Sequence, residues 1–231
     1  MSQTQLSDDA GDRKTIRLWD LPVRIVHWSF VLLIPALWWT GEERELDWHV
    51  RIGLVMLALV LFRLLWGLFG SRPARFAGFL KGPKAVIAYL RGSAPPVVGH
   101  NPIGGWSVLS MLGLLSSQIG LGLFASDTDG LHYGPLSSLI ADYETVEAIT
   151  KWHETLFNLL LALIVVHVGA ILYHVVRKRE NLVTPMVTGE KDVESDIAQP
   201  VLGSSALALT FACVATAISW WVSLGAPLPG A

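Results

Sequence analysis

Residues 151–179, KWHETLFNLLLALIVVHVGAILYHVVRKR, decide how the rest of the chain is interpreted. The stretch is apolar over the length of a membrane helix and carries histidines at positions 153, 167 and 174. At about 100° per residue, the step from His153 to His167 leaves the two side chains about 40° apart on one helical face. At about 1.5 Å rise per residue, they lie about 21 Å apart along the axis. One helix therefore contributes to two stacked sites, which we interpret as haem sites.

The composition is that of an integral membrane protein. Of the 231 residues, 52% are hydrophobic and 16% are charged, which is more apolar than an ordinary soluble domain. Several of the ten tryptophans lie near the ends of apolar runs, where amphipathic rings favour the boundary between water and lipid. A net charge of −2 gives no indication of a nucleic-acid partner. The lone Cys213 excludes an internal disulfide and a Cys-x-x-Cys-His attachment site, so any haem is held non-covalently.

Five apolar runs predict five transmembrane helices in an all-α protein. They cover residues 21–40, 52–69, 103–125, 155–176 and 201–224, and a hydrocarbon core requires roughly 20 residues of helix. Because the backbone must satisfy itself internally in lipid, these runs should be helical. Residues 79–91, FLKGPKAVIAYLR, also suggest a short amphipathic helix on the membrane surface. The predicted organisation is a polar cytoplasmic tail (1–16), a four-helix domain (17–180), a linker (181–200), a fifth helix (201–224) and an external tail (225–231).

The distribution of basic residues predicts the orientation. Thirteen lysines and arginines lie on one side of the predicted spans. They are found before or at the start of the first span, after the second span and after the fourth span. Only Arg44, Arg51 and Lys151 lie on the other side. By the positive-inside rule the N-terminus is cytoplasmic, and an odd number of spans places the C-terminus outside.

Four histidines are candidate iron ligands. Two axial imidazoles give a haem that transfers electrons and does not readily bind oxygen. Counting along the predicted helices places His27 and His167 toward the cytoplasm, and His49 and His153 toward the outside. Matching by depth therefore pairs His49 with His153 and His27 with His167. As alternatives, His49 and His153 are interfacial residues, and His167 is a hydrogen-bonded histidine of the core.

His174 is the main competitor for the role of His167. Seven residues bring it within about 20° of the same helical face. Because it lies closer to the basic end of the helix, we expect it to contact a haem propionate, and a swap of ligand between the two histidines stays open. His100 and His132 fall in loops, where structural or local polar contacts are expected.

Two arginines are candidate partners of haem propionates. Arg63 interrupts the apolar run of the second span, and a buried guanidinium requires an anionic partner. A propionate would meet that requirement with bidentate geometry. Arg24, one turn before His27, is a similar candidate. The alternative for Arg63 is snorkelling to the cytoplasmic surface.

Four segments resemble the bacterial cytochrome b561 family, which is related to the b-type cytochrome subunits of nickel–iron hydrogenases and formate dehydrogenases. They are WDLPVRIVHW, HVRIGLVMLALVLFRLLW, GHNPIGG and KWHETLFNLLLALIVVHVGAILYH. The resemblance implies a four-helix core that binds two b haems, with one histidine each from helices one and two and two from helix four. Those positions match His27, His49, His153 and His167, which favours His167 over His174. It also implies electron exchange with membrane quinone. The fifth span lies outside the resemblance; it either packs against a partner or, as we expect, covers the bundle.

The resulting hypothesis is a dihaem b-type cytochrome of a bacterial inner membrane, which transfers electrons between the quinone pool and a periplasmic-side partner. That partner is a c-type cytochrome or another redox subunit. An acidic external loop offers it a surface through Asp127, Asp129, Asp142, Glu144 and Glu147, unless this is an ordinary solvated loop. The hypothesis also allows a homo-oligomer.

Two further functions compete with this hypothesis. One is a superoxide:ubiquinone oxidoreductase, in which Arg51 and Lys151 attract the anion. The other is a haem-bearing anchor that seats a soluble redox subunit. The quinone site has no sequence signature, and the polar residues Ser116, Ser117 and Gln118 of the third span are either quinone contacts or helix–helix hydrogen bonds.

Overall fold

A computed structural model describes residues 13–95, 97–127 and 132–227. The described chain is mostly helical, as predicted, with one two-stranded sheet. The predicted tails fall largely outside these residues. The helices are α1 (Leu21–Glu42), α2 (Leu46–Phe69), α3 (Phe76–Phe79), α4 (Pro83–Leu90), α5 (Pro102–Gly122), α6 (Tyr143–Val176), α7 (Val183–Thr188) and α8 (Ser205–Ser223), and the strands are β1 (Arg13–Arg17) and β2 (Glu190–Glu194).

Four of the described helices, α1, α2, α6 and α8, are long and apolar enough to cross a membrane. Their outward faces carry exposed apolar side chains such as Leu32, Val176 and Leu209, which suit lipid rather than water. Helix α5 occupies most of the predicted third span. Nine of its 21 residues are glycine or serine, and it does not reach the apolar character of the other four. A membrane protein is thus confirmed, while the count of five spans stays a prediction.

The connections between helices gather at two ends of the bundle. At the first, which we call the sheet end, β1 pairs antiparallel with β2, with Arg13 opposite Glu194 and Arg17 opposite Glu190. At the second, the His132 end, the turn after α1 and the segment between α5 and α6 meet, and His132 lies 3.7 Å from Asp47. The sheet was not foreseen by the sequence analysis, which assigned residues 13–16 to a tail and 190–194 to a linker.

Helix α4 corresponds to the amphipathic helix expected within residues 79–91. Pro83 begins it, in agreement with the preference for proline in a first helical turn. The chain then runs to Asn101, whose Oδ1 accepts a hydrogen bond from the backbone N–H of Gly104 at 2.7 Å. This N-cap, followed by Pro102, starts α5 next to the sheet end.

The buried carboxylate of Asp20 ties α1 to α2. Its Oδ1 accepts the N–H of Val23 at 2.8 Å and caps α1, while its Oδ2 accepts the indole Nε1–H of Trp66, also at 2.8 Å. Trp66 is fully buried in a cluster that joins α1, α2 and α8. One side chain therefore starts a helix and satisfies the polar atom of the largest core residue.

Helix α8 packs along α2. The hydroxyl of Ser219 donates to the carbonyl of Leu54 at 2.7 Å, and the N–H of Gly203 donates to Ser71 Oγ at 2.7 Å. A Cβ at Gly203 would lie 2.7 Å from the ring of Trp66, so this contact requires glycine. The expectation that the last helix covers the bundle agrees with these contacts.

Replacing Asp20 by alanine should destabilise the protein by about 2–4 kcal/mol, because it removes an N-cap and leaves the indole N–H of Trp66 buried without an acceptor. Thermal or denaturant unfolding in detergent measures the loss. The matched control is Asp142→Ala, since Asp142 caps α6 through the N–H of Thr145 at 2.9 Å in an exposed position. Equal losses in the two variants would show that the Trp66 hydrogen bond contributes nothing.

Candidate functional site

His49 and His153 face each other near the His132 end. His49 lies in the first turn of α2 and His153 lies in the third turn of α6. Their ring centroids are 6.1 Å apart, and the ring planes are inclined at 82°. The structure thus brings together the two histidines that depth matching pairs on the outer side. We call them the outer pair.

Each ring of the outer pair is oriented by a backbone carbonyl. Nδ1 of His49 lies 2.9 Å from the carbonyl oxygen of Leu37 in α1, and Nδ1 of His153 lies 2.9 Å from that of Gln118 in α5. A donated Nδ1–H fixes the tautomer and leaves the Nε2 lone pair available to a metal, as is usual for metal-binding histidines. Four helices therefore build this site, two with imidazoles and two with carbonyl groups.

Gly122 allows α5 to approach His153 closely. A Cβ at this position would lie 2.9 Å from Cε1 and 3.2 Å from Nδ1 of the His153 ring. The side chain of Gln118 also contacts this ring, with Nε2 3.3 Å from Nε2 of His153, and its Oε1 is buried without a hydrogen-bond partner in the described chain. Ser116, by contrast, donates back to the carbonyl of Leu112 within its own helix.

A second group of polar side chains lies toward the sheet end. His27 of α1 and His167 of α6 are close enough for their charges to interact, and His100 lies within similar reach of both His167 and Arg63. We call these four residues the inner group. Helix α6 carries both His153 and His167, so one helix reaches both the outer pair and the inner group, and its contribution to two haem sites stays a prediction.

His100, for which structural or local polar contacts were expected, belongs to the inner group. Its ring is held between Trp19 and Phe79, with centroids 4.7 Å and 4.6 Å away. Burial lowers the pKa of His100 to about 4, and the charges of Arg63 and His167 act in the same direction. The imidazole is therefore neutral at physiological pH.

The two arginines occupy different surroundings. Arg63 is buried, with 7% of its surface exposed; it donates to the carbonyl of Ala74 at 3.4 Å and lies 5.2 Å from the ring of Phe76. Arg63 therefore does not extend to the surface in this structure. Arg24 instead donates to the carbonyl of Val187 in α7, and its Nε is buried without a partner in the described chain.

His174 is engaged by a carboxylate at the end of α6. Its Nδ1 lies 3.1 Å from Glu180 Oε2, and Lys191 of β2 lies 3.4 Å from Oε1 of the same group. Partial burial would raise the pKa of Glu180, but the hydrogen bond with His174 and the charge of Lys191 hold it below its usual value. His174 thus connects α6 to the sheet in this structure, a role that sequence reasoning did not anticipate.

Three of the acidic residues of the predicted external loop have partners within the chain. His132 lies 3.4 Å from Asp127, Asp142 caps α6, and Glu147 pairs with Lys151 at 2.7 Å. Asp129 lies outside the described residues. The hydrogen bonds that Asp142 accepts from the side chain and backbone of Thr145 lower its pKa. His132 makes the local polar contacts expected of a loop histidine.

The donor set of the outer pair fits a bis-histidine haem. Both rings face each other, each is fixed through Nδ1, and the close approach at Gly122 holds one of them in place. When bound, a haem supplies one-electron redox chemistry. The chain supplies imidazoles of fixed tautomer, an apolar surrounding, and positive charge toward the sheet end.

Apolar spanning helices and partly buried, facing imidazoles are typical of a membrane protein of the b-type cytochrome class. A family model described as prokaryotic cytochrome b561 matches residues 18–189. The chain belongs to this family, and haem b and electron transport follow from that membership.

Two curated relatives extend the comparison. A protein of Bradyrhizobium diazoefficiens is 21% identical over 217 residues, covering 79% of this chain and 88% of the relative. A protein of Rhizobium leguminosarum bv. viciae is also 21% identical, over 219 residues, covering 80% and 92%. Both are named as probable Ni/Fe-hydrogenase B-type cytochrome subunits. No solved structure gives a significant match to the chain.

Replacing Gly122 by alanine should reduce the haem bound per chain, because the new methyl group would displace the His153 ring. Gly113→Ala is the matched control, since a Cβ at Gly113 on the same helix meets nothing within 4 Å. Haem content and the reduced-minus-oxidised spectrum of the purified variants measure the effect. Full haem content with an unaltered spectrum in Gly122→Ala would mean that the close approach does not constrain the ring.

Proposed function

We propose that the protein is a dihaem b-type cytochrome that transfers electrons between the quinone pool and a redox partner on the periplasmic side of a bacterial inner membrane. One haem is held by His49 and His153, and the other by His27 and His167. Helix α6 joins the two levels over about 21 Å along its axis, given the rise of an α-helix.

The geometry of the outer pair is the observation that carries the proposal. In both imidazoles a carbonyl oxygen occupies Nδ1, which leaves coordination to Nε2. Nε2 of His153 lies 3.3 Å from the amide nitrogen of Gln118, a contact that an iron ion would replace. The two ring centroids lie 6.1 Å apart. A histidine that only packs within a core has no need of a second histidine facing it. The second haem rests on the match of His27 and His167 to the ligand positions that the family resemblance implies, and these two side chains lie near each other in the inner group.

The orientation follows from the positive-inside rule. The sheet end carries most of the basic residues, including those of residues 72–91 and 177–191, which assigns it to the cytoplasm. The outer pair then lies toward the periplasm and the inner group toward the cytoplasm. With α5 as a fifth span, all five helices run between these two ends.

The relatives indicate the kind of partner. Their names describe cytochrome subunits that work with a Ni/Fe hydrogenase, so a redox subunit docking at the periplasmic face is the partner we infer for this chain. The acidic residues proposed as its docking surface are less suited to that role than the sequence suggested. Asp127, Asp142 and Glu147 are each used within the chain.

The superoxide alternative depends on basic residues beside the outer pair. Lys151 is paired with Glu147, and Arg51 lies 5.3 Å from the ring of Trp48. Since the Lys151 charge is balanced by a carboxylate, the attraction that the alternative requires is weakened. We therefore favour the electron carrier.

Single alanine substitutions should separate the two haems. His49→Ala and His153→Ala should each remove the same haem, and His27→Ala and His167→Ala should each remove the other. The purified variants are compared by haem quantified per chain and by reduced-minus-oxidised spectra. His174→Ala is the control and should retain both haems, since His174 contacts Glu180. Loss of the inner haem in His174→Ala with retention in His167→Ala would reverse the ligand assignment.

Electron exchange with quinone is tested on the wild-type chain in lipid nanodiscs. We expect a short-chain ubiquinone to reoxidise the reduced haems, and we expect His167→Ala to slow this exchange by more than about tenfold, because one haem of the relay is missing. Steady-state consumption of superoxide, measured on the same samples, distinguishes the superoxide oxidoreductase from the electron carrier. Rapid superoxide turnover without a protein partner, or haems that do not react with quinone, would contradict the proposed carrier.

A further inference from the structure

His100 has a fixed ring and an unsatisfied polar atom. The segment that carries it ends at Asn101, whose side chain caps α5, and the ring is enclosed by Trp19 and Phe79. Its Nδ1 is buried and has no hydrogen-bond partner in the described part of the chain. Buried polar atoms of side chains are in most cases hydrogen-bonded. The position is therefore suited to an oxygen atom from a bound molecule.

Arg63 supplies the positive charge near His100, since His167 would be a neutral imidazole when it binds iron. Arg63 and His167 lie within electrostatic reach of it, and Arg63 donates one hydrogen bond within the described chain, to a carbonyl group. Asp20 is the carboxylate that interacts with Arg63. That carboxylate already accepts hydrogen bonds from Val23 and Trp66. The inner group can thus supply donors and positive charge to an anion from outside the chain.

We propose that His100 donates a hydrogen bond to a propionate carboxylate of the haem held by His27 and His167, and that Arg63 contributes positive charge to the same carboxylate. This inference rests on the proposed dihaem function and adds a residue outside the four ligands. It also assigns a role to the segment before α5, which would fix the edge of the haem while α1 and α6 hold the iron.

The hydrogen bond has a predictable effect on the haem potential. A donor to the propionate draws negative charge away from the iron, which favours the reduced state. Without the donor, the carboxylate stabilises the ferric state and the potential falls. A residue that only fills space between Trp19 and Phe79 would have no such effect.

The test is a potentiometric titration of the purified full-length chain carrying His100→Phe, which keeps an aromatic ring in the same place and removes its N–H. We expect the reduced-to-oxidised equilibrium of the inner haem to shift toward oxidised by up to about tenfold, which is about 60 mV for a one-electron couple. The outer haem should be unchanged. His100→Gln, which restores a donor, should return the potential toward that of the wild type, and His132→Phe at the opposite end is the control.

The outcomes distinguish the possible roles. Wild-type potentials in His100→Phe, equal shifts of both haems, or the same shift in His132→Phe would overturn the proposal. Loss of the inner haem from His100→Phe with retention in His100→Gln would support it, whereas loss from both would show that packing alone matters. A wild-type chain that binds a single haem would refute the dihaem function itself, independently of any His100 variant.

Discussion

A polar side chain inside a bilayer must find its partners within the protein, because the hydrocarbon core contains no water to replace them. This constraint governs the imidazoles around which the bundle is built. In the outer pair both Nδ1 atoms are satisfied by carbonyl oxygens at 2.9 Å. Rotation of either ring would break its hydrogen bond, so the orientation that the proposed haem site requires is also the one in which both Nδ1 atoms are satisfied.

The positions of the two carbonyl groups within their helices add an electrostatic contribution at the outer pair. Leu37 and Gln118 both lie in the last two turns of their helices, α1 and α5. Carbonyl groups near a helix C-terminus carry the negative end of the helix dipole, which favours N–H donors and positive charge. Two helix ends therefore converge on the outer pair and make its imidazoles more electron-rich. The inner group has the opposite character, since it combines buried Arg63 with histidines.

The sequence predicted what depends on local pattern. Five apolar runs predicted five spans, and four of the described helices are long and apolar enough to cross a membrane. His153 and His167, predicted to share a helix, both lie in α6. The sequence did not predict the pairing of β1 with β2, because Arg13 and Glu194 are far apart in sequence and each strand has only five residues. The carbonyl partners of His49 and His153 were also out of reach, since every residue has a carbonyl group. Gly122 and His100 could not be singled out from the sequence, because a glycine in a membrane helix and a histidine in a loop are each weak indications of a site.

The contacts of α8 show how the last helix, which lies outside the family resemblance, packs against the rest of the bundle. It makes no hydrogen bond to the outer pair or the inner group among the described residues. Phe211 of α8, and Gly203 just before the helix, lie against Trp66. Trp66 in turn donates to Asp20, the residue that starts α1 seven positions before His27. A helix that keeps Trp66 dry also protects the hydrogen bond that positions the start of α1, since a buried hydrogen bond is weakened by access of water. The last helix thus supports the start of α1, the helix that carries His27.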